Sequence, residues 1–229
     1  MSLTSFINEK LQINKDYVEP YVEHPKDKHE LIEILKERFE GQQESSEKNP
    51  INLNDIDVSN VQDLSSTFYY TDYYYANYGK IKYIDISNWN VSNVLDFSNM
   101  FSECSSIHYI GDLSNWDVSS GTDFYNMFNG CKMLKNIGDL SNWKMNNAVN
   151  IKSMFENCKR LTDIGDIGQW NVSKVKNFNY LFKGCEKLKP INLDNWKINK
   201  SVTGQNIRMF FSGTTGWRMP AWYSEVRKR

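Results

Sequence analysis

Residues 89–115 read WNVSNVLDFSNMFSECSSIHYIGDLSN and residues 116–142 read WDVSSGTDFYNMFNGCKMLKNIGDLSN, so the second line is the first written again. Trp89, Trp116, Trp143, Trp170 and Trp196 follow one another at steps of 27, 27, 27 and 26 residues. Cys104, Cys131, Cys158 and Cys185 keep the same step of 27, as do Phe101, Phe128, Phe155 and Phe182. A fixed period in the twenties is the mark of a solenoid, in which each unit buries its apolar side only by stacking on its neighbours.

Two pieces of the unit differ in pattern. Leu134 to Trp143 is short, apolar at intervals and bounded by Gly and Asn, which reads as a short strand. Val94 to Cys104 has apolar residues at i, i+3, i+6, i+7 and i+10, which reads as a short helix with one buried side. The expected fold is an α/β leucine-rich-repeat solenoid, right-handed, with one short strand and one short helix per ~27-residue coil, about six coils in all. Caps are expected at both ends, because a terminal coil exposes an apolar edge.

Outward from the regular units, residues 51–68 form a degenerate first repeat. Asp57-Val58-Ser59-Asn60-Val61 aligns with Asn90 to Val94 at an offset of 33, placing Ile56 at the Trp position, Leu64 at that of Phe97 and Phe68 at that of Phe101. A tyrosine-rich insertion, residues 69–83, interrupts the repeat. Residues 1–50 read as an N-terminal helical cap and linker. Its helix is expected over roughly 28–40, with Asp27 and Glu30 as a capping box, Gly41 as the stop, and Leu31, Ile34, Leu35 and Phe39 on one face. At the other end Met209-Phe210 keeps the Met-Phe pair and Gly213 replaces the cysteine. Trp222, 26 residues after Trp196, looks like the start of one more strand, and residues 214–229 read as a C-terminal cap with a basic tail.

A net charge of −1 argues against a nucleic-acid binder. No apolar run approaches the roughly 20 residues that span a bilayer, and the first residues show no basic-then-apolar export pattern. The cysteine spacing fits no metal motif, so no metal or other cofactor is expected. The cysteines read as a buried ladder, and unpaired thiols fit a reducing compartment. No G-x-S-x-G, H-E-x-x-H or phosphate-binding glycine loop is present, so no catalytic residue is expected. His108 stands where other repeats carry Lys135, Thr162 and Lys189, which reads as a solvated face.

Two sets of residues are candidates for partner binding. Asp85, Asp112, Asp139 and Asp166 recur before the apolar residue of each strand piece, with Asn192 in the last unit. Stacked one above another, they form either a stripe for a cation or basic partner, or a set of carboxylates that each close their own turn. Tyr69, Tyr70, Tyr73, Tyr74, Tyr75, Tyr78 and Tyr83 are the second set. Tyrosine suits recognition because it offers large contact area and a hydrogen-bonding tip at low entropic cost. The alternative for them is packing over the edge of the first repeat. The Ser-Asn pairs before each Trp read as structural.

The segments SNWNVSNVLDFSNMFSECSSI, IGDLSNWDVSS and IGDLSNWKM resemble the BspA-like leucine-rich repeats of bacterial surface proteins, over about residues 51–213. The resemblance implies a surface-displayed or secreted binding module, adhesin-like and without catalytic residues. The function expected is therefore a non-catalytic scaffold that recognises a protein or glycan through its concave face and the Tyr-rich loop, as a monomer or weak homodimer. The alternatives are a structural spacer or assembly component, and a regulator of an enzyme or a cryptic enzyme. Neither nucleic acid nor membrane insertion is expected.

Overall fold

The computed structural model describes residues 23–40, 45–69 and 81–229. Regular elements are few: helix α1 (Lys28–Phe39), the two-residue strands β1 (Ile51–Asn52) and β2 (Ile84–Asp85), and helix α2 (Ala221–Arg227). Three short 3-10 turns, at Leu140–Asn142, Ile167–Gln169 and Gly204–Asn206, complete the set among the described residues.

What organises the chain is hydrogen bonding between repeats. β1 and β2 pair in parallel, Ile51 opposite Ile84. Isolated parallel bridges join Asp63 to Asp96, Asp96 to Asp123, Asp123 to Asn150 and Asn150 to Asn177. Each repeat thus lies beside the next in the same direction and nearly the same register. The first of these bridges carries the offset of 33, and Phe68 stacks on Phe101 at 4.9 Å.

The piece expected as a helix is not one. Among the described residues, no α-helix lies between α1 and α2. In the first regular unit, the N–H groups of Phe97, Asn99, Phe101 and Glu103 donate to the carbonyls of Asp123, Tyr125, Met127 and Asn129 in the next unit. Helical bonds would run from i to i−4 within one unit. Between those long bonds, tight turns close from Met100 to Phe97, Ser102 to Asn99 and Cys104 to Phe101. Asn99 and Glu103 hold φ of 56° and 57°, a left-handed conformation that interrupts a helix. The same two columns are left-handed at Asn126 and Gly130, Ser153 and Asn157, and Tyr180 and Gly184. Successive three-residue turns bring every third or fourth side chain inward, and so mimic helical spacing. The strand piece is likewise reduced to single bridges such as Asn136 to Asp163, followed in two units by a 3-10 turn.

The core is a set of columns. Phe68, Phe101, Phe128, Phe155 and Phe182 stack in sequence, with centroids 4.9 to 5.9 Å apart and planes within 9°. Trp143 lies between Trp116 and Trp170, at 6.4 and 6.3 Å. Each indole also reaches back one unit: Trp143 Nε1 donates to the Leu113 carbonyl at 2.9 Å, Trp170 to Leu140 at 2.8 Å and Trp196 to Ile167 at 2.9 Å. The four thiols follow the same rule, as in Cys131 Sγ to the Phe101 carbonyl at 3.1 Å. All four are buried and stand outside any disulfide.

The ends are covered by non-repeating chain. Asp27 caps α1 by accepting from the Glu30 N–H at 3.0 Å, but Glu30 turns its carboxylate to Lys26 instead of closing the capping box. Leu31, Leu35 and Phe39 are buried, and Lys28 ties the helix to Asp63 at 2.6 Å. Gly41 lies outside the described residues. At the far end the register differs from that expected by one residue. Phe211, not Phe210, stacks on Phe182, 11° from parallel. Gly213, with φ of 82°, sits against Gly184, and Thr214 takes the place of the cysteine, its N–H bonded to Phe211 O as that of Cys185 is to Phe182 O. The extra residues lie between Trp196 and Ile207, the 3-10 turn at Gly204–Asn206 among them. Trp222 does complete the Trp column, stacked on Trp196 at 6.3 Å, but from helix α2 and not from a strand.

Two predictions follow from the columns. Trp143→Phe removes one buried hydrogen bond and part of a packed ring, and is expected to cost about 2 kcal/mol in urea unfolding; an unchanged midpoint would deny the indole bond its role. Burial pushes the Cys131 and Cys158 thiols well above the ordinary value of 9.0 and that of Cys185 to about 12. The unfolded chain ionises these thiols first. The stability they contribute is therefore full below pH 9.0 and lost as pH rises from there towards about 12. Replacing Cys131, Cys158 and Cys185 by Ala should flatten this alkaline slope in a pH series of denaturation midpoints.

Candidate functional site

The turns that connect the bridged segments are closed by side-chain oxygens. Asp85 Oδ1 accepts from the Ser87 N–H at 2.9 Å, Asp112 from Ser114 at 2.9 Å, Asp139 from Ser141 at 2.9 Å and Asp166 from Gly168 at 3.1 Å. Asn192 serves Asp194 in the same way at 3.0 Å. The glycine of the following unit rests against the carboxylate: a Cβ on Gly138 would stand 1.9 Å from Asp112 Oδ1, and one on Gly165 1.7 Å from Asp139 Oδ1. One oxygen of each column Asp is therefore occupied by the fold. Asp112, Asp139 and Asp166 are nevertheless exposed, and Asp85 is half-buried. Among the described residues, no group of three or more His, Cys, Asp or Glu side chains is placed to hold a metal ion.

Tyr70, Tyr73, Tyr74, Tyr75 and Tyr78 lie outside the described residues. Tyr69, the first residue of the insertion, is exposed. Tyr83, at its other end, is bridged in parallel to Tyr109, one residue before β2. Its N–H and that of Lys82 both donate to the buried hydroxyl of Ser45 at 3.0 Å, which fastens the preceding loop over this edge. The Tyr83 ring stacks on His108, centroids 5.3 Å apart and planes 26° from parallel. His108 Nδ1 lies 2.8 Å from the Ser106 carbonyl, an acceptor only, so the proton of the neutral ring sits on Nδ1. A shallow cleft of about 430 Å³ opens between this pair and Ser45, Ser46, Glu47 and Lys82.

Tyr109 joins the two candidate sets. Burial raises its phenol above the usual range, the nearby Asp85 and Asp112 carboxylates add to the rise, and a hydrogen bond with Ser87 opposes it. Three half-buried rings thus stand on neighbouring backbone: Tyr83 and His108 stacked on each other, and Tyr109, the bridge partner of Tyr83, with its phenol near Asp85 and Asp112. Asp139 and Asp166 continue the acidic column away from it. The motifs singled out in the sequence did not include Tyr109 or the stacking role of His108. The signal was there: this is the one regular unit with two adjacent rings at positions filled by Lys135-Asn136 and Thr162-Asp163 elsewhere. Such a surface can stack against a flat apolar group and accept hydrogen bonds from its edge; it presents no nucleophile–base pair.

A family described as "Mycoplasma protein of unknown function, DUF285" matches the chain over residues 33–163, 72–196 and 135–222. No curated protein and no solved structure gives a match. The three family matches overlap and are displaced along the chain, as a repeated unit produces, and the first alone spans more than half of it. The chain belongs to this family of Mycoplasma proteins of unknown function.

Proposed function

We propose that the chain is a leucine-rich-repeat solenoid of the BspA-like type, working as a non-catalytic, adhesin-like scaffold for a protein or glycan. The stacked parallel units support the solenoid reading. The observation that carries the binding reading is the Tyr83–His108 stack, bridged through the backbone of Tyr83 to Tyr109, whose phenol lies near Asp85 and Asp112. Aromatic rings fixed on bridged backbone give contact area with little entropy left to lose. Carboxylates at the rim accept hydrogen bonds from sugar hydroxyls or from the amides and basic side chains of a protein. The Tyr-rich insertion of the sequence ends at Tyr83, which contributes its ring to this stack.

The test is binding of a panel of purified matrix proteins and neutral glycans to the full chain, compared with a Tyr83→Ser/Tyr109→Ser variant. A ligand of the wild type is expected to bind the variant at least about tenfold more weakly, the scale of losing one hot-spot contact, with the unfolding midpoint retained. Equal binding by both would remove the patch from the site. Failure of the wild type to bind any member would favour the spacer or assembly reading.

A further inference from the structure

The near-zero net charge conceals a strong polarity. Residues 1–130 contain 9 Lys and Arg against 21 Asp and Glu, whereas residues 131–229 contain 18 against 7. The units stack in chain order, so among the described residues the charge is separated along the stack. The fold does not require it. The bridge column runs Asp63, Asp96 and Asp123, then Asn150 and Asn177, and every member closes the same turn through one oxygen. An amide does that work as well as a carboxylate, so the sign of the charge is free to vary.

The switch is cleanest in the segment that begins each unit. Residues 56–62, 89–95 and 116–122 contain two acidic residues, Asp57 and Asp117, and no Lys or Arg. The equivalent residues 143–149, 170–176 and 196–203 contain Lys144, Lys174, Lys176, Lys197 and Lys200 and no Asp or Glu. All five lysines are exposed and none makes a salt bridge among the described residues. Lys174 bonds only to the neutral Asn147, at 2.8 Å. The other basic corner differs: there Lys159, Lys183 and Lys189 pair with Glu186, Glu156 and Asp163.

One of these lysines, Lys197, lines a cleft of about 420 Å³ whose polar lining also includes Gln169, Asn171, Ser173 and Asn195. We propose that this face of the last three repeats binds an acidic polysaccharide. Ammonium groups would meet its sulfates or carboxylates, and the amide and hydroxyl groups of the cleft its hydroxyls. Two other polyanions fit less well. The aromatic residues of the three segments, Trp143, Trp170 and Trp196, are buried, which leaves no platform on which single-stranded bases could stack. Nor does the face carry an exposed Trp, Phe or Leu of the kind that anchors a protein in a bilayer interface, Val149 being its one exposed large apolar side chain. The site is distant in sequence from Tyr83 and Tyr109 and does not rest on the aromatic-patch reading.

The probe is a heparin fragment, titrated into the full chain near physiological salt, with single-stranded DNA and anionic phosphatidylserine vesicles as competing polyanions. Wild type is expected to bind heparin, and binding should weaken steadily with added salt as counterions are released. A Lys144→Gln/Lys174→Gln/Lys176→Gln/Lys197→Gln/Lys200→Gln variant should bind at least about tenfold more weakly, since several charge contacts are lost together. Lys197→Glu alone should weaken binding in the same direction. Lys132→Gln/Lys135→Gln/Arg160→Gln/Lys187→Gln, at the mixed corner, and Tyr83→Ser/Tyr109→Ser should both bind as wild type. No heparin binding, or an equal loss in the mixed-corner variant, would overturn the site. DNA or vesicles bound as tightly through the same lysines would overturn its assignment to a glycan.

Discussion

The structure depends on one requirement: alternate backbone N–H groups of a turn-rich unit must find their carbonyls in the adjacent unit. Phe97, Asn99, Phe101 and Glu103 all donate forward by one repeat, and the units that follow do the same. An isolated unit would leave these groups and its aromatic faces unpaired, so stability arises between repeats. The indoles and thiols reinforce the arrangement in the opposite sense, donating back to carbonyls of the preceding unit. A helix would have satisfied its backbone internally and left neighbouring units held by side chains alone.

That requirement selects what stands in each column. Every residue has its own equivalent one unit above and one below, so an inward position must tolerate contact with itself. Phe and Trp stack, and Cys fills a small gap while donating to a carbonyl. Outward polar positions meet the same test differently. A column of carboxylates repels unless its members are solvated or hydrogen-bonded. The exposed Asp112, Asp139 and Asp166 are both, each holding the N–H of its own turn. Glycine beside Asp112 and Asp139 is a consequence, because the next unit passes too close to the carboxylate for any Cβ.

The period, the Trp, Phe and Cys columns and the degenerate first unit could be read from the sequence, because each is a statement about equivalence and stacking preserves equivalence. Helix α1 was legible from Asp27 and the spacing of Leu31, Leu35 and Phe39. The conformation within a unit was not. Tight turns and a helix both return a side chain inward every three to four residues, and apolar spacing cannot separate them. The left-handed columns hold the distinguishing information: Asn126 and Gly130, or Asn157 and Gly184, are poor helix formers and natural left-handed residues. The last register was misjudged for a related reason, since Met209-Phe210-Phe211 offers two Met-Phe alignments and only the left-handed Met209 and Gly213 distinguish them. Of the candidate site, Tyr83, Asp85 and Asp112 were visible, whereas Tyr109 was not, because its importance lies in a neighbour 26 residues away.

In the proposed binding role, a stack of equivalent units cannot express specificity through what repeats. The Asp turns, the Ser-Asn pairs and the core columns occur in nearly every unit and would offer a ligand the same surface at each step. Discrimination has to come from positions where one unit departs from the rest without cost to the fold. Tyr83, His108 and Tyr109 are such a departure, at a column that elsewhere holds Lys135, Asn136, Thr162 and Asp163. The exchange of Asp57 and Asp117 for Lys144 and Lys197 at the residue following the Trp position is another. Both alter side chains that point away from the core, on backbone held rigid by the units on either side. The invariant columns thus fix where a group stands, and the variable ones determine what that group is.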